Sequence, residues 1–365
     1  MTAWIAGTAV SLQEAAAEAA RLLQVSRMPV VAGLATDVAG ARAAILLAEK
    51  LRGAYDHVAS DALLRDLDVM RQAGLMITTL NELRARADCL LLVGPGMSSR
   101  LAELLGDFDI TAPAHFDSSH APRTIIRIGA ARGDVSINGA IDIATTAAAL
   151  PEMLACLRAR AAGHATHQTE RAAAALDDAA ERLKAARFGV AAWSAEAVDA
   201  LSIEMLYGII TDLNKTTRFS GLPLAPPLNG SGVAQTSGWM TGFPVRTGFG
   251  RGFPEHDSWR FDALRLVDSG EADIALWISA YAPAVPLWRR PVPLIALATP
   301  QTRFAYEPRV RIDIGTPGLD HDGIEHAPQA STFVVKRAQA QTDAVPAAAA
   351  LGLIGDYLNE GGISC

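Results

Sequence analysis

Apolar residues fall along this chain in two alternating rhythms. Ser11–Ser26 carries them at helical spacing, and Ser11 with Glu14 sits at capping-box distance, which predicts a helix starting there. Met28–Leu34 (MPVVAGL) is a short unbroken apolar run and predicts a buried strand. Asp37–Arg52 returns to helical spacing, with Gly53 placed to close the helix. Another helix is predicted over Asp61–Ala73, and further buried strands over Asp88–Val93 (DCLLLV) and Arg123–Ile128 (RTIIRI). Continuous apolar strands separated by helices are what a parallel sheet covered on both faces requires.

The pattern then recurs. An Ala- and Glu-rich helical stretch runs from Ile143 to Ala186, followed by a strand at Phe188–Trp193 and a helix at Glu196–Leu213. Ser258–Ser269 is predicted helical, with strands at Ala272–Ser279 and Val292–Thr299. Arg27-Met28 and Arg187-Phe188 open the two halves, and Ala87-Asp88 and Ala272-Asp273 open their second strands. Each half therefore reads strand–helix–helix–strand–strand. The fold class is α/β, with two related lobes of parallel or mixed sheet flanked by helices. A duplication accounts for this, and so does the general likeness of parallel α/β units. The expected organisation is a first α/β unit over 1–60 packing with the second lobe, and an inserted lobe over 61–165. A second lobe over 166–330 and a C-terminal strand and helix over 331–365 complete it.

Inside the second lobe, Thr216–Pro254 is different. It is dense in Gly and Pro and carries Trp239, Phe243, Phe249 and Phe253 with Arg218, Arg246 and Arg251. Such a long irregular stretch is usually functional, because glycine lets backbone amides face a phosphate or carboxylate and arginine pairs with it. The plainer reading is an ordered loop packed on another lobe or on a neighbouring protein.

Composition narrows the function classes. The chain has 365 residues, is half hydrophobic and has a formal net charge of −7, so it is globular and unsuited to nucleic acid. Its start meets Glu14 and Glu18 before any long apolar run, and its most apolar windows are strand-length. A cytoplasmic protein with no membrane or nucleic-acid partner is expected. The 3 cysteines, Cys89, Cys156 and Cys365, are too scattered for a disulfide framework or a four-cysteine metal site.

Other candidate sites are weaker. Gly94-Pro95-Gly96 follows a strand and precedes a helix, as a dinucleotide loop does, but lacks the third glycine. His321, Asp322, Glu325 and His326 crowd into HDGIEH; two histidines five apart do not share a helix face, and solvated loop residues are the better account. His115, Asp117 and His120 in AHFDSSH are read as satisfying their own backbone.

The stretch DLNKTTRFSGLPLAPPLNGSGVAQTSGWMTGFPVRTGFGRGFP, followed by a helix and GEADIALWISA, resembles the B subunits of formylmethanofuran dehydrogenase, in the molybdopterin oxidoreductase family. RMPVVAGLATDVAGARAAILLAEKLRGAYDHVAS and RADCLLLVGPGMSS carry the same resemblance, which runs from about Leu12 to Ala338. It implies a molybdopterin-oxidoreductase-like fold. Redox-active members carry an N-terminal cysteine motif for an iron–sulfur cluster. They also place a cysteine or selenocysteine, then histidine, as ligand to molybdenum or tungsten. Here no cysteine precedes Cys89, Ser60 and Asp61 stand at the metal-ligand position in VASDALL, and the family's arginine is missing from LPLAPPLNGSG. The resemblance therefore implies a chain without the N-terminal iron–sulfur domain, holding neither an iron–sulfur cluster nor a molybdenum or tungsten pterin.

These departures resemble the bacterial formyltransferase/hydrolase complex, where a formyl group passes from formyl-tetrahydromethanopterin to a methanofuran-type carrier and is released as formate. The resemblance implies a non-catalytic, structural B subunit in one-carbon metabolism. Its partners would be an amidohydrolase-like A-type subunit, a C-type subunit and a formyltransferase subunit. It implies no catalytic residue and no metal ligand, and a vestigial pterin or carrier pocket at Ser60, Asp61, Asn229, Gly230, Ser231, Gly232, Gln235, Thr241, Gly242, Arg246 and Arg251. The pocket is expected to be partly filled around Asp61 and Asn229, since an empty apolar cavity destabilises a fold. Two alternatives stay open. One is an active pterin-dependent dehydrogenase subunit with Asp61 or Ser60 as an unusual ligand. The other is a binding module in which Arg218, Arg246 and Arg251 hold an anionic methanofuran-type carrier.

Overall fold

The computed structural model describes residues 3–106, 108–116, 120–131, 133–340 and 342–360. The chain begins with β1 (Ala3–Ile5), β2 (Thr8–Val10), α1 (Leu12–Gln24), β3 (Pro29–Ala35), α2 (Val38–Lys50) and β4 (Ala54–Tyr55). Next come α3 (Ser60–Ala73), α4 (Leu80–Arg86), β5 (Cys89–Val93), α5 (Met97–Leu105), β6 (Thr124–Ile128) and β7 (Ile141–Ile143). Then follow α6 (Leu150–Ala161), α7 (Glu170–Ala185), β8 (Gly189–Trp193), α8 (Ala200–Leu213), β9 (Phe219–Pro223) and α9 (Gly230–Thr241). The chain continues with β10 (Thr247–Gly248), β11 (Glu255–His256), α10 (Ala263–Ser269), β12 (Ile274–Ser279), β13 (Leu294–Ala298) and β14 (Val310–Asp313). It ends with β15 (Gly323–Ala327), β16 (Thr332–Lys336) and α11 (Ala347–Glu360).

Local chemistry sets the helix ends. The Ser11 hydroxyl accepts the Glu14 N–H (3.2 Å) and the Glu14 carboxylate accepts the Ser11 N–H (2.8 Å), so the predicted capping box starts α1. Asp37 caps α2 by accepting the Gly40 N–H at 3.0 Å. The end of α2 differs from expectation, because Arg52 (φ 52°), not Gly53, takes the left-handed position. Gly53 is needed for space instead: a Cβ there would collide with the Pro29 carbonyl oxygen.

The residues divide into two units. The first comprises those up to Ser60, Pro227–His326 and those from Phe333 onward; the second comprises Asp61–Pro226 with Ala327–Thr332. In the first unit nine strands run in the order β11-β10-β4-β3-β12-β13-β14-β1-β2. The five from β4 to β14 are parallel, and the outer strands are antiparallel. In the second unit all five strands are parallel, ordered β7-β6-β5-β8-β9. Strand alternation there feeds two cores: Cys89, Leu91 and Val93 join one cluster, Leu90 and Leu92 the other. Continuous apolar strands are thus explained by burial on both faces.

Reading the second sheet backwards, β9-β8-β5-β6-β7 matches β4-β3-β12-β13-β14 strand for strand. Each unit takes a strand pair from one half of the chain and a strand triplet from the other. The sequence expectation of separate lobes over 61–165 and 166–330 therefore gives way to an exchanged arrangement. β8 pairs with β5 (Leu91 opposite Ala191) and β12 pairs with β3 (Leu276 opposite Val31). The repeated dipeptides mark one device used twice. Asp273 accepts the N–H groups of Arg27 (2.9 Å) and Met28 (3.2 Å), and Asp88 accepts those of Arg187 (2.9 Å) and Phe188 (3.0 Å). In each unit a carboxylate stitches together the starts of the two central strands.

Two further expectations are corrected. The helical stretch from Ile143 to Ala186 opens with β7 and splits into α6 and α7. Thr216–Pro254 is not irregular: it holds β9, α9 and β10. Its glycines serve close packing. At Gly221 a Cβ would meet the Trp193 ring at 2.9 Å, and glycine-bearing α9 packs on the small-residue helix α2.

In the β3–β12 pair the backbones come close at Gly33. It has φ 83°, and a Cβ there would sit 2.5 Å from the Ile278 carbonyl oxygen, where the β3–β12 register shifts. Gly33→Ala is expected to cost about 3 kcal/mol in urea unfolding, through backbone strain and overpacking. Gly250→Ala, with nothing within 4 Å of the added methyl, should stay within about 0.5 kcal/mol.

Candidate functional site

The predicted metal-ligand position is Ser60, the first residue of α3, which is 1% exposed. Its hydroxyl bonds to the Asp56 carboxylate, lies 2.8 Å from the His57 carbonyl oxygen and accepts the His57 N–H at 3.1 Å. Asp56 follows β4, the strand that hydrogen-bonds to β3, and its own N–H donates to Val31 O at 2.9 Å. Its second carboxylate oxygen accepts the Ala263 N–H (3.0 Å) and Nε of Arg246 (3.3 Å). Arg246 also reaches Asp262 (Nη2–Oδ2 2.7 Å) and donates to the Ser258 carbonyl at 2.8 Å. Its side chain is 12% exposed and its backbone is left-handed, φ 60°. Such a conformation persists where surrounding interactions impose it, and here two carboxylates do.

His57 extends the network. Its Nδ1 accepts the Ala59 N–H (3.0 Å), which leaves the ring proton on Nε2 to donate to the Leu228 carbonyl at 3.2 Å. Burial pulls its pKa down to about 4, partly opposed by the Leu228 carbonyl, so the ring is neutral near pH 7. Asn229 follows in a left-handed conformation (φ 58°). Its amide donates to the Thr36 carbonyl (2.9 Å) and its oxygen accepts the His326 N–H (3.1 Å). Asn229 thus ties the end of β3 to β15 and leaves α9 without a side-chain cap.

The structure brings Ser60, Arg246 and, through His57 and Leu228, Asn229 into one hydrogen-bonded set. Buried Gly230 and Gly232 belong to it by packing, and a Cβ on Gly232 would collide with the Asn229 side-chain oxygen. The remaining predicted residues do other things. Asp61 is exposed on the first turn of α3, and Gln235 is exposed on α9, where Ser231 is half-buried. Thr241 bonds to its own helix (Ser237 carbonyl, 2.8 Å), and Gly242 ends α9 in the left-handed region. Arg251 is exposed, paired with Glu255 (Nε–Oε2 2.9 Å) and stacked 5.1 Å over Phe253. Sequence reasoning missed Asp56, His57, Asp262 and Thr36. The signal for the first two was the Asp-His pair in YDHVAS, two polar residues closing an apolar strand; nothing local marks Asp262.

The other candidates resolve as structure. Gly94-Pro95-Gly96 does lead into α5, but the Gly96 N–H is taken by the Asp134 carboxylate at 2.9 and 3.1 Å. HDGIEH is not a loop: its last four residues lie in β15, Glu325 pairs with Lys336 and Asp322 with Arg337. Among the described residues no group of three or more His, Cys, Asp or Glu could hold a metal ion. Asp117 and Cys365 lie outside the described residues.

A molybdenum or tungsten pterin does not fit these side chains. The position where the family resemblance expects a thiolate holds a hydroxyl that bonds to the Asp56 carboxylate and accepts the His57 N–H. Cys89 is buried in β5, where desolvation pushes its thiol up to about 12, and Cys156 on α6 accepts a hydrogen bond from Gln168. Two grooves of the first unit, about 460 and 120 Å³, are walled by other residues.

No family model matches the chain. The chain is distantly related to the B subunits of formylmethanofuran dehydrogenase. Over 286 residues the chain is 26% identical to the B subunit of the tungsten-containing formylmethanofuran dehydrogenase 2 of Methanocaldococcus jannaschii, covering 74% of this chain and 64% of that one. The chain belongs to the family of the B subunit of the formyltransferase/hydrolase complex Fhc. It is 38% identical to the Methylorubrum extorquens member over the full length of both. Its fold matches a chain in the crystal structure of the Methylorubrum extorquens FhcABCD complex with methylofuran, at a TM-score of 0.88 and 35% identity, covering 99% of this chain and 100% of that one.

Burial is the main cause that pushes Asp56 up to about 6, against the pull of Arg246, the Ala263 N–H and Ser60. A carboxyl raised from its ordinary 3.8 binds its proton more tightly in the folded chain. Its contribution to stability is full below that ordinary value and is lost as pH rises toward 6. Asp56→Asn should flatten this part of the stability profile in urea titrations between about pH 4 and pH 6. Arg246→Met, which strands Asp56 beside Asp262, should cost about 3–5 kcal/mol at pH 7. Adding Asp56→Asn should return part of that loss.

Proposed function

We propose that this chain is a structural, non-catalytic B subunit of a formyltransferase/hydrolase complex. That complex would move a formyl group from formyl-tetrahydromethanopterin to a methanofuran-type carrier and release formate. The observation that carries the reading is Ser60. Where a redox-active relative needs a metal thiolate, this chain has a buried hydroxyl engaged with Asp56 and His57, and Asp56 in turn neutralises Arg246. Ser60, Asn229, Gly230, Gly232 and Arg246 are the remnant of a cofactor pocket whose polar groups now bond to one another. The transfer and hydrolysis steps fall to partners, namely a formyltransferase subunit and an amidohydrolase-like A-type subunit with its own metal centre. A C-type subunit completes the assembly.

Carrier binding through the arginines has weaker support. Arg246 is engaged by Asp56 and Asp262, and Arg251 by Glu255, so an anion would first have to displace a carboxylate. Among the described residues no helix is long and apolar enough to cross a membrane.

Three measurements on the co-expressed complex test the proposal. Elemental analysis should find molybdenum and tungsten far below one atom per copy of this chain. The isolated chain should neither transfer nor hydrolyse formyl groups, and omitting it should stop the remaining subunits from co-eluting. Stoichiometric molybdenum or tungsten with a pterin, or an active isolated chain, would overturn the reading.

A further inference from the structure

We infer that a groove at the amino-terminal edge of β13 and β14 docks an acidic, extended segment of a partner subunit; the identity of that partner rests on the function proposed above. The groove holds about 460 Å³ and is walled by the residues just before the two strands, among them Pro291, Pro293, Tyr306 and Pro308. Small ligands of doubly wound sheets bind at the carboxyl ends of the strands, so this opposite edge is not the fold's ligand crevice. Three prolines without N–H groups cannot extend a sheet ladder onto an incoming strand. What they offer is rigid apolar surface. Tyr306 is held in place by the Trp288 indole, whose N–H nitrogen lies 3.1 Å from its hydroxyl. Just before Trp288 in the chain, Leu287 stands 76% exposed.

Charge selects the occupant. Arg289 and Arg290 precede the groove, and Arg309 lines it; all three are exposed. Among the described residues none of the three forms an ion pair with a carboxylate, whereas Arg127, Arg265 and Arg311 each do. Asp268 is nearby, but it accepts the backbone N–H groups of Arg289 (2.7 Å) and Arg290 (3.1 Å), fixing the segment that bears the guanidiniums. Glu307 is the one acid in the wall. Exposed arginines beside an apolar groove run against the overall field of a chain of net charge −7, and apolar walls with exposed arginines are the composition of interface anchors. An acidic segment would lay its stems on the prolines and its carboxylates on the arginines.

The test has two arms. A fluorescein-labelled octapeptide of alternating Asp and Glu should bind the full chain, with affinity falling at least tenfold in Arg289→Glu/Arg309→Glu and at high salt, while Arg289→Lys/Arg309→Lys retains binding. In the co-expressed complex, a photo-cross-linking amino acid at Leu287 should map to an acidic segment of a different subunit, and excess octapeptide should suppress that product at least fivefold. Lack of octapeptide binding, binding unaffected by charge reversal, or a cross-link to a second copy of this chain or to a non-acidic segment would overturn the inference. The peptide arm needs no assembly, so its failure is distinct from failure of the scaffold reading.

Discussion

Everything in this molecule depends on two long-range parallel pairings, β3 with β12 and β5 with β8. A parallel pair cannot be closed by a tight turn, so its register must be fixed by something other than the connection. Here the fixing group is a carboxylate at the strand start, Asp273 in one unit and Asp88 in the other, each bonded to two successive amides of the neighbouring strand. Charge-assisted bonds of this kind are roughly twice as strong as neutral ones. They also satisfy backbone donors at the strand start, before the ladder begins.

The set around Ser60 follows from where β4 ends. β4 lies beside β3, so Asp56 emerges buried, and a buried carboxylate needs a partner. Arg246 supplies it while held in a left-handed conformation, and Asp262 balances the remaining guanidinium edge. Asn229 does the same for the backbone, joining Thr36 to His326. In this family setting the arrangement amounts to a site whose polar groups answer to each other.

Much of the architecture was legible in the sequence, and the reason is physical. Runs such as MPVVAGL and DCLLLV are long enough and apolar enough to be strands buried on both faces, and Ser11 with Glu14 is a helix start written out in full. An apolar run carries no address, however, so which strand lies beside which could not be read from it. The Ala-Asp and Arg-Met or Arg-Phe dipeptides held that address, visible as a repeat but not as a bond. In the candidate site, Ser60, Asn229 and Arg246 were named by comparison with a family pattern, and the fold brings them into one hydrogen-bonded set. Asp262 was not, because only the fold carries it to Arg246. The glycines of Thr216–Pro254 were read as a loop on local propensity. Packing outweighs propensity there, since α9 uses its small residues to approach α2.

The exchanged halves also set a timetable. A chain is synthesised from its amino terminus, and domains fold as their residues become available. All strands of the second unit's sheet lie between Cys89 and Pro223, so that sheet can close while the chain is still growing. The sheet of the first unit cannot, because β3 and β4 must wait for β12, β13 and β14. Until β12 has emerged, the wholly buried strand Pro29–Ala35 has no neighbour on that side. The first strands to be made are among the last to be enclosed.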